Sequence, residues 1–169
     1  MLKARFRFFS KKPIPHQLTS HVKLLHKVAI VKKDQVLILK RSNNALSRPG
    51  KWDLPGGNSE WPQDLKKSVI NLHQYDIVRE IKEETNLLFE NQDFETQNLI
   101  YFATYFEPDK QIYSVNCGWA VELRDKNQVV EISKEHTDLT WITLDELKKY
   151  DFGGIQRDYE TKIIRLALA

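Results

Sequence analysis

The chain has 169 residues, 41% apolar and 29% charged, the balance of one soluble globular domain large enough to bury a substantial core. Its single cysteine, Cys117, excludes an internal disulfide and a cysteine-built zinc site and fits a reducing compartment; no apolar run reaches membrane-spanning length. The net charge of +3 is uneven: residues 1–33 hold nine Lys or Arg and no acid, leaving 17 bases against 23 acids, net −6, in the rest.

The basic start has three readings. Leu2, Ala4, Phe6 and Phe8 alternate with Lys3, Arg5 and Arg7 at period two, as in a strand with one charged face. Contact with a phosphate-rich partner and an Arg-rich targeting peptide are the other two. The expected organisation is a basic arm over residues 1–21, packed on a single domain over residues 22–169. Pro13 and Pro15 break the chain. Val22 to Val31 and Val36 to Arg41 then predict two strands, joined as a hairpin through Lys32-Lys33-Asp34-Gln35. A polar loop covers residues 42–50, and Trp52 to Gly57 reads as a short strand ending at two glycines.

Between Asp64 and Glu84, Leu65, Val69, Leu72, Ile77 and Ile81 recur at a roughly helical period. Aromatic and β-branched runs over Gln97 to Glu107 and Ile112 to Leu123 predict a second hairpin, turning at Pro108-Asp109-Lys110. Leu139 to Ile142 is a short strand. Thr143 caps a helix over Leu144 to Tyr150, with Glu146 placed as in a capping box. Gly153-Gly154 interrupts the chain, and a closing helix runs from Ile155, with Tyr159, Ile163 and Leu166 along one side. Strands flanking a central helix, with a second helix closing the chain, imply a mixed sheet packed between helices.

The chemistry concentrates in Arg79-Glu80-Ile81-Lys82-Glu83-Glu84-Thr85-Asn86-Leu87. On a helix, Glu80, Glu83 and Glu84 fall at i, i+3 and i+4, three carboxylates on one narrow face, with Arg79 four residues before Glu83. Crowded carboxylates raise each other's pKa unless a cation sits among them, and hard oxygen donors favour Mg²⁺ or Mn²⁺. Alone, such a run is ordinary for a solvated helix face. What sets it apart is the upstream Pro49-Gly50-Lys51-Trp52-Asp53-Leu54-Pro55-Gly56-Gly57-Asn58-Ser59-Glu60, where a Gly-Gly pair leaving an apolar run permits a sharp turn and close approach of a ligand.

Together the two segments resemble the Nudix box, the signature of the Nudix hydrolases (MutT-like): glycine, five residues, glutamate, seven residues, then Arg-Glu-apolar-x-Glu-Glu-x-Gly-apolar. The resemblance covers about Lys27 to Leu147. This chain departs from the pattern in three places. Gly57 to Arg79 is eight residues longer; Gln63 stands where the glutamate is due, or Asn71 when counted back from Arg79; and Asn86 replaces the closing glycine. Asn is the next-best residue for the left-handed position that ends a helix. Eight residues are close to two helical turns, and the expectation is a helix continuing N-terminal to Asn71. The support that the missing glutamate would give Arg79 falls to Glu60, Asp64 or Asp76.

The resemblance implies an α/β (α+β) fold, a Nudix-type α/β/α sandwich with a mixed central β-sheet. It implies Glu80, Glu83 and Glu84 as metal ligands, Arg79 orienting Glu83, and main-chain groups at Gly56 and Gly57 meeting metal or phosphate. Glu135, in the polar loop before Trp141, is a further ligand or the general base, with Glu80 the alternative base. Arg41 at a strand end is the candidate for phosphate contact. Trp52 and Trp141 read as core, while Tyr101, Tyr105 and Trp119 lie on strands able to line a nucleotide pocket; His136 needs no role.

The expected function is Mg²⁺-dependent (or Mn²⁺-dependent) cleavage of the pyrophosphate linkage in a nucleoside diphosphate joined to another group: a nucleoside triphosphate, dinucleoside polyphosphate or nucleotide sugar. The alternative is a catalytically weak Nudix-fold nucleotide binder or sensor. A cytoplasmic protein is expected, with a nucleotide-type small molecule as partner, no membrane and no specific nucleic acid; the resemblance is compatible with a homodimer.

Overall fold

The computed structural model describes residues 21–60, 62, 64, 66–125, 127–153 and 158–169. Residues 1–20 of the expected arm over 1–21, Gln63 and the expected start of the closing helix at residues 155–157 lie outside them. Six strands form one mixed sheet: β1 (Val22–Lys32), β2 (Gln35–Arg41), β3 (Trp52–Asp53), β4 (Leu99–Glu107), β5 (Ile112–Glu122) and β6 (His136–Ile142). β1 and β2 form the expected hairpin, as do β4 and β5, both antiparallel. β1 runs parallel to β5 through the middle, from Val22 beside Tyr113 to Val31 beside Glu122. β6 occupies one edge of β2, and β3 pairs with the far end of its other edge, at Leu39 and Lys40.

β1 touches β2 only at Val31 and Lys32. Farther back it is paired instead with the glycine turn: the His26 N–H donates to the Gly57 carbonyl and the Val28 N–H to the Pro55 carbonyl, both at 2.9 Å. The turn is therefore laid along the sheet as if it were a strand.

Neighbouring residues of β1 and β2 point to opposite faces, and both faces are buried. Val28, Ile30, Leu37 and Leu39 join Ile77 and Ile81 of α1 (Leu72–Thr85) in one core. Ala29, Val36 and Ile38 join Ile163 and Ile164 of α2 (Tyr159–Ala167) in the other. Burial on both faces is why these strands read as near-continuous apolar runs, and it makes the molecule the expected α/β/α sandwich. On α2 the buried residues are Tyr159, Glu160, Ile163 and Ile164, while Leu166 is exposed. Thr143 and Glu146 form their capping box, but on a 3₁₀ segment, Leu144–Lys149, rather than an α-helix.

The helix does not continue before Asn71. α1 starts at Leu72, after Asn71 in the left-handed region (φ 55°, ψ 38°), and the described residues from Asp64 to Ile70 are turns and irregular backbone. Val69 and Ile70 are exposed, so the apolar spacing upstream meets no core. A short helix without a packed face is marginal in water, and here the insertion is a loop. At the other end Asn86 adopts the left-handed cap expected of it (φ 57°), its N–H bonded to the Lys82 carbonyl at 2.9 Å.

Beneath the glycine turn, His26 is buried; its Nδ1 accepts from the Trp119 indole (3.1 Å) and its Nε2 faces the Ser59 hydroxyl (3.0 Å). Burial, with help from neighbouring His73, lowers its pKa to about 4. The native state thus refuses a proton that the unfolded chain accepts near pH 6.5. This contribution, up to about 3 kcal/mol, is complete above pH 6.5 and lost as pH falls toward 4. Urea unfolding between pH 7.5 and 4.5 should show His26→Gln losing less stability on acidification than the parent protein.

Candidate active site

The turn's main chain meets side chains of the acidic helix. The Gly56 N–H donates to Glu84 Oε2 at 2.8 Å. Gly56 has φ +119°, and a Cβ there would lie 2.4 Å from the His26 carbonyl oxygen, so only glycine suits the position. At Gly57 the constraint comes from the other side: a Cβ would lie 2.4 Å from Cδ and Oε2 of Glu80. Glu80 and Glu84, one helical turn apart, are thus packed against successive glycines. Gly57→Ala should push the mobile Glu80 carboxylate aside while leaving the fold intact. Its expected signature is an unchanged melting curve with kcat reduced about 10–100-fold, the range that small misplacements near reacting groups produce.

A cleft of about 390 Å³ opens over this contact. Arg41, Gly56, Gly57, Arg79, Glu80, Glu83, Glu84 and Glu135, every site residue named from the sequence, line it. Glu135 is brought there because its loop is stitched to the end of α1: the Ser133 N–H donates to the Glu84 carbonyl (3.2 Å) and Glu131 N–H to the Thr85 carbonyl (3.0 Å). The carboxylates do not converge into a cage; among the described residues no three His, Cys, Asp or Glu side chains gather as a metal cluster. Arg79 Nη2 holds Glu80 at 3.0 Å and its Nη1 holds Glu83 at 3.2 Å. Of the three candidates to support Arg79, Glu60 and Asp76 each lie 3.6 Å from Nη2, while Asp64 pairs with Lys67.

The donor chemistry fits a hard divalent cation. Every candidate ligand is a carboxylate oxygen, and two of them are partly or wholly withdrawn from water. Burial pushes Glu84 up to about 8; Lys27 and the Gly56 N–H oppose the shift, and Asp53 and Glu80 add to it. Burial likewise raises Glu80, against the pull of Arg79. A bound cation is what would let these groups stay charged together.

Basic side chains share this cleft with the acidic ones. Lys23, Lys27, Arg41 and Arg48 line the same cleft, and three of them share a single buried carboxylate. Asp53 lies 2.8 Å from Lys27 Nζ, 3.2 Å from Arg41 Nη1 and 2.6 Å from Arg48 Nη2. Burial alone would raise Asp53, but Lys27 and Arg48 hold it well below the usual carboxylate range. Arg48 also binds Glu160 of α2 at 2.6 Å. Beside Glu84, buried His136 has Nε2 3.8 Å from Oε1. Burial lowers the His136 pKa to about 4, so at neutral pH this is a contact with a neutral ring.

Sequence reasoning missed Lys27, Arg48, Asp53 and Glu160, and gave His136 no necessary role. Lys27 did carry a signal, as a charged residue in mid-strand between the apolar pairs Leu24-Leu25 and Val28-Ala29. Arg48 and Glu160 carried none, being 112 residues apart. Of the aromatics considered for a pocket, Tyr105 lines the cleft, whereas Trp119 is core.

The NUDIX domain family model matches residues 27–160. No curated protein matches the chain in sequence. Among solved structures, a MutT NUDIX hydrolase from Burkholderia pseudomallei superimposes with TM-score 0.59 at 18% identity, covering 86% of this chain and 97% of its own. The E. coli ORF135 protein gives TM-score 0.59 at 17% identity, covering 87% and 93%. A bifunctional NMN adenylyltransferase/ADP ribose pyrophosphatase from Francisella tularensis, complexed with AMP and a Mn ion, gives 0.54 at 19%, covering 86% and 41%. The chain belongs to the NUDIX domain family, with the fold of the MutT-type pyrophosphohydrolases.

Proposed function

We propose that the protein is a Mg²⁺- or Mn²⁺-dependent hydrolase that cleaves the pyrophosphate linkage of a nucleoside diphosphate joined to another group. The observation that carries this reading is the mixed lining of the cleft, where the carboxylates Glu80, Glu83, Glu84 and Glu135 share one space with Lys23, Arg41 and Arg48. A pyrophosphate complexed to a divalent cation calls for both kinds of group, carboxylates for the cation and bases for the phosphate oxygens.

Glu80, Glu83 and Glu84, with Glu135 from the facing loop, would hold the metal, which supplies charge neutralisation at phosphate and an acidified water. Arg41, half-buried and anchored to Asp53 and to the Ser47 carbonyl (2.8 Å), presents its guanidinium to the substrate's phosphates. The turn at Gly56 and Gly57 admits the anion close to the main chain. Glu135 or Glu80 takes the proton from the attacking water; Glu80 is half-held by Arg79, whereas exposed Glu135 is the freer to accept it. The protein is proposed to act in the cytoplasm on a small nucleotide, without membrane or specific nucleic-acid partner.

The test is product analysis on nucleoside triphosphates, dinucleoside polyphosphates and nucleotide sugars, with Mg²⁺, with Mn²⁺ and with chelator. Turnover of at least one class that chelator abolishes is expected. Tight nucleotide binding by calorimetry, with no turnover of any class under either metal, would instead establish the binder or sensor reading.

A further inference from the structure

We propose that Lys27 is a positioning residue of the active centre: it staples the glycine turn from below and so sets where Glu80 and Glu84 stand. The inference rests on the hydrolase reading for its kinetic consequence, but not for its structural one.

Lys27 is 4% exposed, a lysine inside the central strand. Its Nζ donates to the Leu54 carbonyl and to the Gly56 carbonyl, both at 3.0 Å, and lies 2.8 Å from Asp53 Oδ1. An ammonium has three protons, and these three acceptors match them. Two of the acceptors are carbonyls two residues apart, so the side chain spans the Leu54-Pro55-Gly56 bend as a brace. A salt bridge to Asp53 alone would not need them.

Gly56 is gripped from both sides. Its carbonyl accepts from Lys27 and its N–H donates to Glu84 Oε2. The next residue, Gly57, leaves only enough room for the Glu80 carboxylate. Any shift of the turn is therefore passed to both carboxylates, one through a hydrogen bond and one through contact. Lys27 touches no reacting group in this account; beside the charge by which it favours ionised Glu84, it acts through the turn. Asp53 keeps Arg41 and Arg48 when Lys27 is replaced, so the buried carboxylate is not left bare and the domain has the means to stay folded.

The experiment uses Lys27→Met, which keeps length and bulk and removes all three donors. In ¹⁵N spectra of the full chain, the amides of Gly56 and Gly57 should shift, and the Gly56 amide should exchange with solvent at least tenfold faster. Mn²⁺ binding, read by electron paramagnetic resonance, should weaken at least tenfold. On the substrate found active, kcat at saturating metal should fall about 30–100-fold, consistent with a displaced constellation, while KM changes less than threefold. A role confined to stability would lower the melting temperature and leave Mn²⁺ affinity and kcat alone.

Unchanged Gly56 and Gly57 amides, or unchanged Mn²⁺ affinity, in a folded Lys27→Met protein overturns the proposal. A parent protein with no turnover refutes the hydrolase reading, while the amide shifts still decide the brace. If Lys27→Met does not fold, Lys27→Arg replaces it. That variant keeps the charge against Asp53, and its fork cannot reproduce both carbonyl contacts, so the same amide shifts and a tenfold loss in Mn²⁺ affinity are expected.

Discussion

Glu84→Gln is expected to lower kcat at least about 1,000-fold, on the order of the loss when a group acting directly on transition-state charge is removed, without unfolding the protein. Glu84 is nearly fully buried and is tied to the turn by a main-chain hydrogen bond from Gly56. A glutamine oxygen can keep that bond from Gly56, so the turn should hold its place. Burial already drives the metal-free carboxyl toward neutrality, so the neutral amide costs the fold little. The change removes charge from the most buried of the candidate ligands and very little else. The measurement is initial rate against Mg²⁺ concentration beside a thermal melt. A variant within tenfold of the parent in kcat would remove Glu84 from the metal site and with it the mechanism proposed here.

The same residue shows what a sequence can and cannot reveal. Glu80, Glu83 and Glu84 were legible because a helix converts spacing into a shared face, and Gly56-Gly57 because backbone freedom marks a close approach. Both are local facts, and the core strands are equally local: Val36 to Leu39 is apolar because it is buried on both faces. The extent of the helix was not local. Leu65, Val69 and Leu72 have helical spacing, yet whether a helix forms depends on a surface to pack against, and Val69 and Ile70 face solvent. The basic side of the cleft's chemistry was hidden for a related reason. Lys27, Arg48 and Glu160 acquire their meaning from Asp53, and β1, the 42–51 loop and α2 meet there only after the sheet has assembled. Even the support of Arg79 was undecidable among Glu60, Asp64 and Asp76 until the insertion was seen as a loop, which carries Glu60 to Arg79 and leaves Asp64 with Lys67.

Asp53→Leu is expected to produce the largest stability loss of any single substitution at the cleft, about 3–5 kcal/mol, which for a domain of this size lowers Tm by roughly 10 °C. The reason is the asymmetry of buried charge. Asp53 is 1% exposed and is the common partner of Lys27, Arg41 and Arg48. Leucine has comparable bulk, so packing survives, but buried Lys27 loses its counter-charge, and Arg41 and Arg48 lose theirs at the floor of the cleft. Asp53→Asn, which keeps acceptor oxygen and shape, should lose about half as much. The exposed pair between Lys51 and Asp151 is the control. At 2.5 Å it is as short as any contact Asp53 makes, yet both partners face solvent, and Asp151→Ala should leave the melt unchanged. Urea unfolding of the three variants at pH 7.5 separates burial from distance as the cause. Asp53→Leu within about 1 kcal/mol of the parent would mean that the three cations find solvent or Glu160 unaided, and that the cleft floor does not depend on its central carboxylate.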